Sequence, residues 1–117
     1  MRKGKIAAQC AHASMAVLTR RDQGAGLALT VPLTGPEAWW VRGPFAKVVL
    51  SVEDEQALET VAREAEERGL PVALITGSGR TEFGGVPTRT TVAVGPAPVS
   101  WVDEVTGVDG VVATKLA

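Results

Sequence analysis

The 117-residue chain has one cysteine and one histidine, and that scarcity removes whole classes of chemistry. Cys10 has no second cysteine with which to form an internal disulfide, and one Cys with one His cannot build a zinc cluster. No structural metal is therefore expected. No apolar run is long enough to carry a helix across a bilayer, so no membrane partner is expected either. Met1-Arg2-Lys3-Gly4-Lys5 has the charge of a signal-peptide start, but Gln9, His12 and Ser14 interrupt the apolar core that such a signal needs. The expected location is cytoplasmic. Internal repeats and low-complexity runs are also missing. What the chain does have is 45% apolar and 21% charged residues, the balance of a globular fold, and a length that fits one domain over residues 1–117.

The formal net charge of −1 argues against a polyanionic partner only if charge is spread evenly. It is not. Seven of the thirteen acids (Glu53, Asp54, Glu55, Glu59, Glu64, Glu66, Glu67) fall in residues 53–68, with only Arg63 and Arg68 as cations there. Ten cations and six acids remain outside, a balance of +4. If the acidic segment faces away from the site, the rest of the surface attracts phosphate with modest, salt-sensitive affinity.

In residues 4–20, Ile6, Ala7, Cys10, Ala11, Ser14, Val17 and Leu18 recur at spacings of three and four, which predicts an amphipathic helix with a small-residue inner face. Cys10 reads as a small hydrophobe on that face rather than a nucleophile. Lys3, Lys5, Gln9 and His12 gather cations, an amide and an imidazole near the helix start, where backbone N–H groups and the helix dipole favour an anion. Residues 22–45 are rich in Gly and Pro, predicting a loop with a short helix near 36–41. Of Trp39 and Trp40, one is expected to cap the core while the other lies near the surface, with base stacking as the alternative.

Residues 46–52 have the β-branched content of a buried strand. A helix follows, with Ser51 as a cap and Asp54 in the capping-box position, stopped by Gly69 and Pro71. Residues 71–76 read as the next strand, parallel to the first through a right-handed crossover. Gly77-Ser78-Gly79 then lies beyond a strand's carboxyl end, where open α/β sheets bind ligands. A further strand over 90–94 and a short helix over 98–106, with Trp101, Val102 and Val105 inward, complete the reading.

Four blocks, Lys3-Gly4-Lys5-Ile6-Ala7-Ala8-Gln9-Cys10-Ala11-His12-Ala13, Gly79-Arg80-Thr81, Gly95-Pro96-Ala97-Pro98 and Val102-Asp103-Glu104-Val105-Thr106-Gly107, stand in the order of the archaeal and eukaryotic (type 2) peptidyl-tRNA hydrolases. The chain resembles that family over nearly its whole length. The resemblance implies a three-layer α/β/α fold, a small mixed β-sheet with helices on both faces. It also implies hydrolysis of the ester between peptide and tRNA 3′ ribose, a peptidyl-tRNA substrate held at its acceptor end, no cofactor, and a homodimer.

Within the resemblance, Lys5 and Thr81 match the family's functional lysine and threonine, and are the expected catalytic residues. Lys3, Gln9, His12, Arg80 and Glu82 are the expected binding residues around them, His12 having a purely structural role as its alternative. The family motif Asp-Ala-Gly-Arg/Lys-Thr-Gln reads Gly77-Ser78-Gly79-Arg80-Thr81-Glu82 here, so glycine stands where the aspartate would be and glutamate where the glutamine would be. A catalytically impaired member that binds tRNA, a nucleotide or a protein is therefore the alternative function. Members also carry a hydrophobic strand before Lys-Gly-Lys, and this chain begins where that strand would have ended. The expected sheet lacks that strand, leaving an edge for another element or a second subunit to cover.

Overall fold

The computed structural model describes residues 1–22, 24, 26–77 and 86–117. The elements in order are α1 (Lys3–Thr19), α2 (Gly35–Arg42), β1 (Leu50–Ser51), α3 (Glu55–Glu67), β2 (Val72–Gly77), β3 (Thr88–Val94), α4 (Val99–Thr106) and β4 (Lys115–Leu116). β2 and β3 pair antiparallel, from Val72 opposite Val94 to Gly77 opposite Thr88. The two faces of this ribbon carry different helices. Ala13, Ala16 and Val17 of α1 pack with Ala73, Ile75 and Ala93. Val61 and Ala65 of α3 pack with Leu70, Val105 and Val112, against Val72, Val92 and Val94.

Because successive strand residues point to opposite faces, one short ribbon serves both cores and the result is three layers, helix on sheet on helix. The α/β class and its two-sided helical cover are as expected. Alanines at 13, 16 and 73 let α1 lie close to the ribbon, while fully burying Ile75 contributes about 1.5–3 kcal/mol.

Several local expectations are corrected. The strand expected over 46–52 shrinks to β1, which pairs antiparallel with β4, not parallel with β2. Residues 46–49 are exposed. β-branched content marks extended backbone but does not specify which strand it pairs with, and here a C-terminal segment provides the partner. The cap of α3 is Asp54, whose carboxylate accepts from Ala57 N at 2.8 Å; Ser51 is taken up in β1. Trp101 is 56% exposed, because α4 turns only Val105 fully inward. Trp40 is half-buried yet belongs to neither core cluster.

The loop over 22–45 does contain a helix, and Thr34 explains where it starts. Its hydroxyl accepts from Glu37 N while Glu37 accepts from Thr34 N, a reciprocal capping box with proline inside the first turn. Glu37 itself is 1% exposed, and both of its oxygens accept from Arg21, at 3.0 and 2.7 Å. This ion pair ties α2 to the chain just beyond the end of α1. Asp22 steadies the loop between them by accepting from Thr30 N at 2.7 Å and Gly24 N at 2.9 Å, bonds that hold its carboxyl below its ordinary pKa.

Candidate functional site

The β2–β3 register is regular from Val72 to Ile75 and then shifts: Ile75 faces Thr91 but Thr76 faces Arg89. Thr90 is the extra residue of a bulge, and a bulge re-aims side chains. Thr90 and Thr91 are neighbours, yet both hydroxyls turn to Gln9 of α1. Thr90 Oγ1 donates to Gln9 Oε1 at 2.5 Å, and Thr91 Oγ1 donates to the Gln9 carbonyl at 3.1 Å. The helix is thereby pinned across the end of the ribbon.

Gly77, the last residue of β2, is buried beside this contact. A Cβ built on it would lie 3.0 Å from Thr90 Cγ2 and 3.7 Å from Gln9 Oε1. Its φ is outside the left-handed region, so available space rather than backbone conformation is what favours glycine there. The position where the family motif has aspartate is therefore occupied by the packing of Thr90 against the end of β2.

Lys5, Gln9, His12 and Ala16 follow one another at helical spacing and share a stripe about 60° wide. Lys5 is half-buried one turn before Gln9, whereas His12, on the outer flank of the stripe, is exposed, as is Lys3. Residues 1–19 contain three cations, Arg2, Lys3 and Lys5, all at the start of α1, and no acid. With no acid in the first turn of α1, the helix dipole adds to that positive field.

Arg80, Thr81 and Glu82 lie outside the described residues; of the other expected site residues the structure sets Gln9 against the Gly77 end of β2, with Lys5 one helical turn before it on α1. Thr90 and Thr91 were missed from sequence. Their signal was Thr88-Arg89-Thr90-Thr91, where two adjacent polar β-formers break the alternation of a half-buried strand.

The acidic segment is on the other face. α3 packs against the side of the ribbon away from α1, and its Glu55 accepts from Arg89 N at 3.0 Å, while Glu59 lies 3.8 Å from the Arg89 guanidinium. Arg89 is thus held by α3 and by Thr76, to whose hydroxyl it donates at 3.0 Å. Among the described residues no cluster of His, Cys, Asp or Glu is arranged to hold a metal ion. A groove of about 530 Å³ lies at the opposite end of α1, between Val17, Arg20, Leu70, Pro96 and Trp101, and includes none of the expected site residues.

A small three-layer α/β domain, with an acid-free helix pinned by its amide across a bulged strand end, is the class these features define. The chain belongs to the family described as Peptidyl-tRNA hydrolase PTH2, whose model matches residues 1–108. It is 41% identical over 110 residues to "Peptidyl-tRNA hydrolase" of Thermococcus onnurineus, covering 90% of this chain and 81% of that protein. It is 39% identical over 108 residues to the protein of the same name from Halobacterium salinarum, covering 92% and 85%. It is 36% identical over 107 residues to mouse "Peptidyl-tRNA hydrolase 2, mitochondrial", covering 92% and 54%. The chain thus spans about half the length of the mouse relative and most of the archaeal ones.

Proposed function

We propose that this chain hydrolyses the ester joining a peptide to the 3′ ribose at the acceptor end of tRNA. The relatives' names support the reading, and the observation that carries it is the placement of Gln9 against Thr90 and the Gly77 end of β2, one helical turn from Lys5 on α1. Ester hydrolysis needs a positioned water, a stabiliser for the developing oxyanion and a grip on the RNA. In this scheme the Lys5 ammonium stabilises the oxyanion and the Thr81 hydroxyl orients the water. Gln9 accepts from Thr90 through Oε1, which leaves its amide N–H donors for the substrate. Lys3, Arg80 and His12 contact phosphate or ribose, Glu82 borders the ester, and no cofactor takes part.

We place this activity in the cytoplasm and in a homodimer. Support for self-association comes from Val48 and Leu116, 74% and 81% exposed beside the two-residue β1–β4 ladder, where apolar surface and short strand edges coincide. Sedimentation at micromolar concentration is expected to show a dimer; a stable monomer would remove this part of the proposal.

One observation favours a second reading. Glycine at 77 neither accepts a proton nor orients a lysine, which fits a catalytically impaired member that binds tRNA, a nucleotide or a protein partner. Purified peptidyl-tRNA decides between them. Release of free peptide well above the buffer rate supports the hydrolase, and binding without turnover supports the second reading.

A further inference from the structure

The chain has five aromatic residues, and three of them, Trp39, Trp40 and Phe45, fall within seven positions. The capping box and the buried Glu37–Arg21 pair fix the rotation of α2 about its axis. Trp40, three residues after Glu37, is half-buried and donates from Nε1 to the Ala46 carbonyl at 2.7 Å. Trp39, two residues after Glu37, turns away and is 69% exposed. Next to it in the chain, Trp40, Phe45 and Lys47 form a closely packed cluster. The Trp40 and Phe45 rings are 4.7 Å apart, and Lys47 Nζ lies 3.1 Å from the Phe45 ring centroid and 5.2 Å from that of Trp40. Lys47 Nζ also donates to the Phe45 carbonyl at 2.8 Å, and Phe45 N donates to the Trp40 carbonyl at 2.9 Å. Phe45 is held at φ +50°, a conformation rare for a residue with a side chain, and such conformations persist where the surroundings over-determine them.

We propose that Trp39, exposed on α2 and adjoining the Trp40–Phe45–Lys47 cluster in the chain, is a platform on which an unpaired RNA base stacks. This rests on the RNA partner of the proposed function. Charge selects RNA as the occupant: residues 38–52 contain Arg42 and Lys47 and no carboxylate, both cations are exposed, and Lys47 lies over the Phe45 ring. Aromatic faces interleaved with cations bind single strands by stacking on bases while neutralising phosphates. The platform is a second contact, separate from the ester site. α2 is tethered at Arg21, past the C-terminal end of α1, whereas Lys5 lies in the first turn of that helix. Energy gained there holds the RNA without touching the reacting atoms, so it acts on KM and not on kcat.

The test compares a labelled single-stranded RNA oligonucleotide of mixed sequence with the same strand in a blunt duplex, by fluorescence anisotropy. The single strand is expected to bind more tightly. Trp39→Ala is expected to weaken that binding about fivefold or more, with Trp39→Phe recovering most of the loss and Trp39→Leu not. In peptidyl-tRNA hydrolysis Trp39→Ala is expected to raise KM by a similar factor at unchanged kcat. Equal binding by wild type and Trp39→Ala overturns the platform, as does full recovery by leucine. A Trp39→Ala variant that loses self-association while keeping RNA affinity also overturns it, and assigns the surface to protein contact. An inactive wild type whose RNA binding still depends on Trp39 overturns the hydrolase reading and leaves the platform standing.

Discussion

Gly77 and Thr90 stand so close that one added carbon on the glycine would meet the threonine methyl at 3.0 Å. Restoring the family's aspartate at 77 is therefore a packing problem before it is a chemical one. Gly77→Asp alone is expected to destabilise the fold by about 1–3 kcal/mol through overpacking. Thr90→Ser removes the offending methyl and keeps the hydroxyl that donates to Gln9, so the double variant is expected to regain much of the loss. Urea denaturation of the four proteins in the cycle measures the coupling, and simple additivity would show that the contact is not the obstacle.

With the fold secured, the same pair tests the chemistry. Peptidyl-tRNA turnover by Gly77→Asp/Thr90→Ser is expected to exceed that of Thr90→Ser alone, because a carboxylate would then stand beside Gln9 at the end of β2. A folded double variant with no gain, together with an inactive wild type, would move the chain to the binding-module reading.

Lys5→Ala and Thr81→Ala are each expected to lower turnover at least about tenfold, on the order of 1.4 kcal/mol in the barrier. Lys5→Arg, which keeps charge but not shape, is expected to fall between wild type and alanine. Rates unchanged in both alanine variants would remove this assignment.

Glu37 gives a dependence on pH. Burial pushes its carboxyl pKa up, but the Arg21 bonds, the Thr34 N–H, the nearby guanidinium charge and the Thr34 hydroxyl together outweigh it, and the net direction is down. A pKa lowered by folding contributes stability that is present above the unfolded value and is lost as pH falls through the folded one. Stability is thus expected to hold from neutral pH down to the ordinary carboxyl range and to decline as pH falls further, through the lowered Glu37 value. Glu37→Gln should lose about 2 kcal/mol at neutral pH and show a flatter acid limb. An unchanged acid limb in thermal melts would show that other carboxyls govern it.

Legibility from sequence followed the reach of each signal. The extents of α1, α3 and β2 are legible because helical periodicity, capping residues and a short apolar run are local properties, but the inner face of α1 is not, since Ala13, Ala16 and Val17 are buried while Ile6, Ala7 and Ala11 are exposed. The partnership of β1 was not, since pairing Leu50 with Leu116 depends on a contact across most of the chain. The resemblance pointed to Lys5, Gln9 and the motif that begins at Gly77, but not to the bulge at Thr90, which arises from a register offset between two strands. Trp101 was misread because an aromatic side chain does not reveal whether its short helix presents it to the core or to solvent.

The two-stranded ribbon also works as an electrostatic partition. It separates an acid-free α1 from α3, which carries Glu55, Glu59, Glu64, Glu66 and Glu67, with the two helices packed on opposite faces of the ribbon. At physiological ionic strength the Debye length is about 8 Å, so an anion approaching α1 meets its cations while the acids behind the sheet are screened. At about 0.01 M salt the screening length grows to about 30 Å and the acidic layer becomes visible through the fold. Dilution then strengthens attraction and repulsion together. The salt dependence of RNA association should consequently flatten toward low ionic strength, where a uniformly basic protein would continue to tighten.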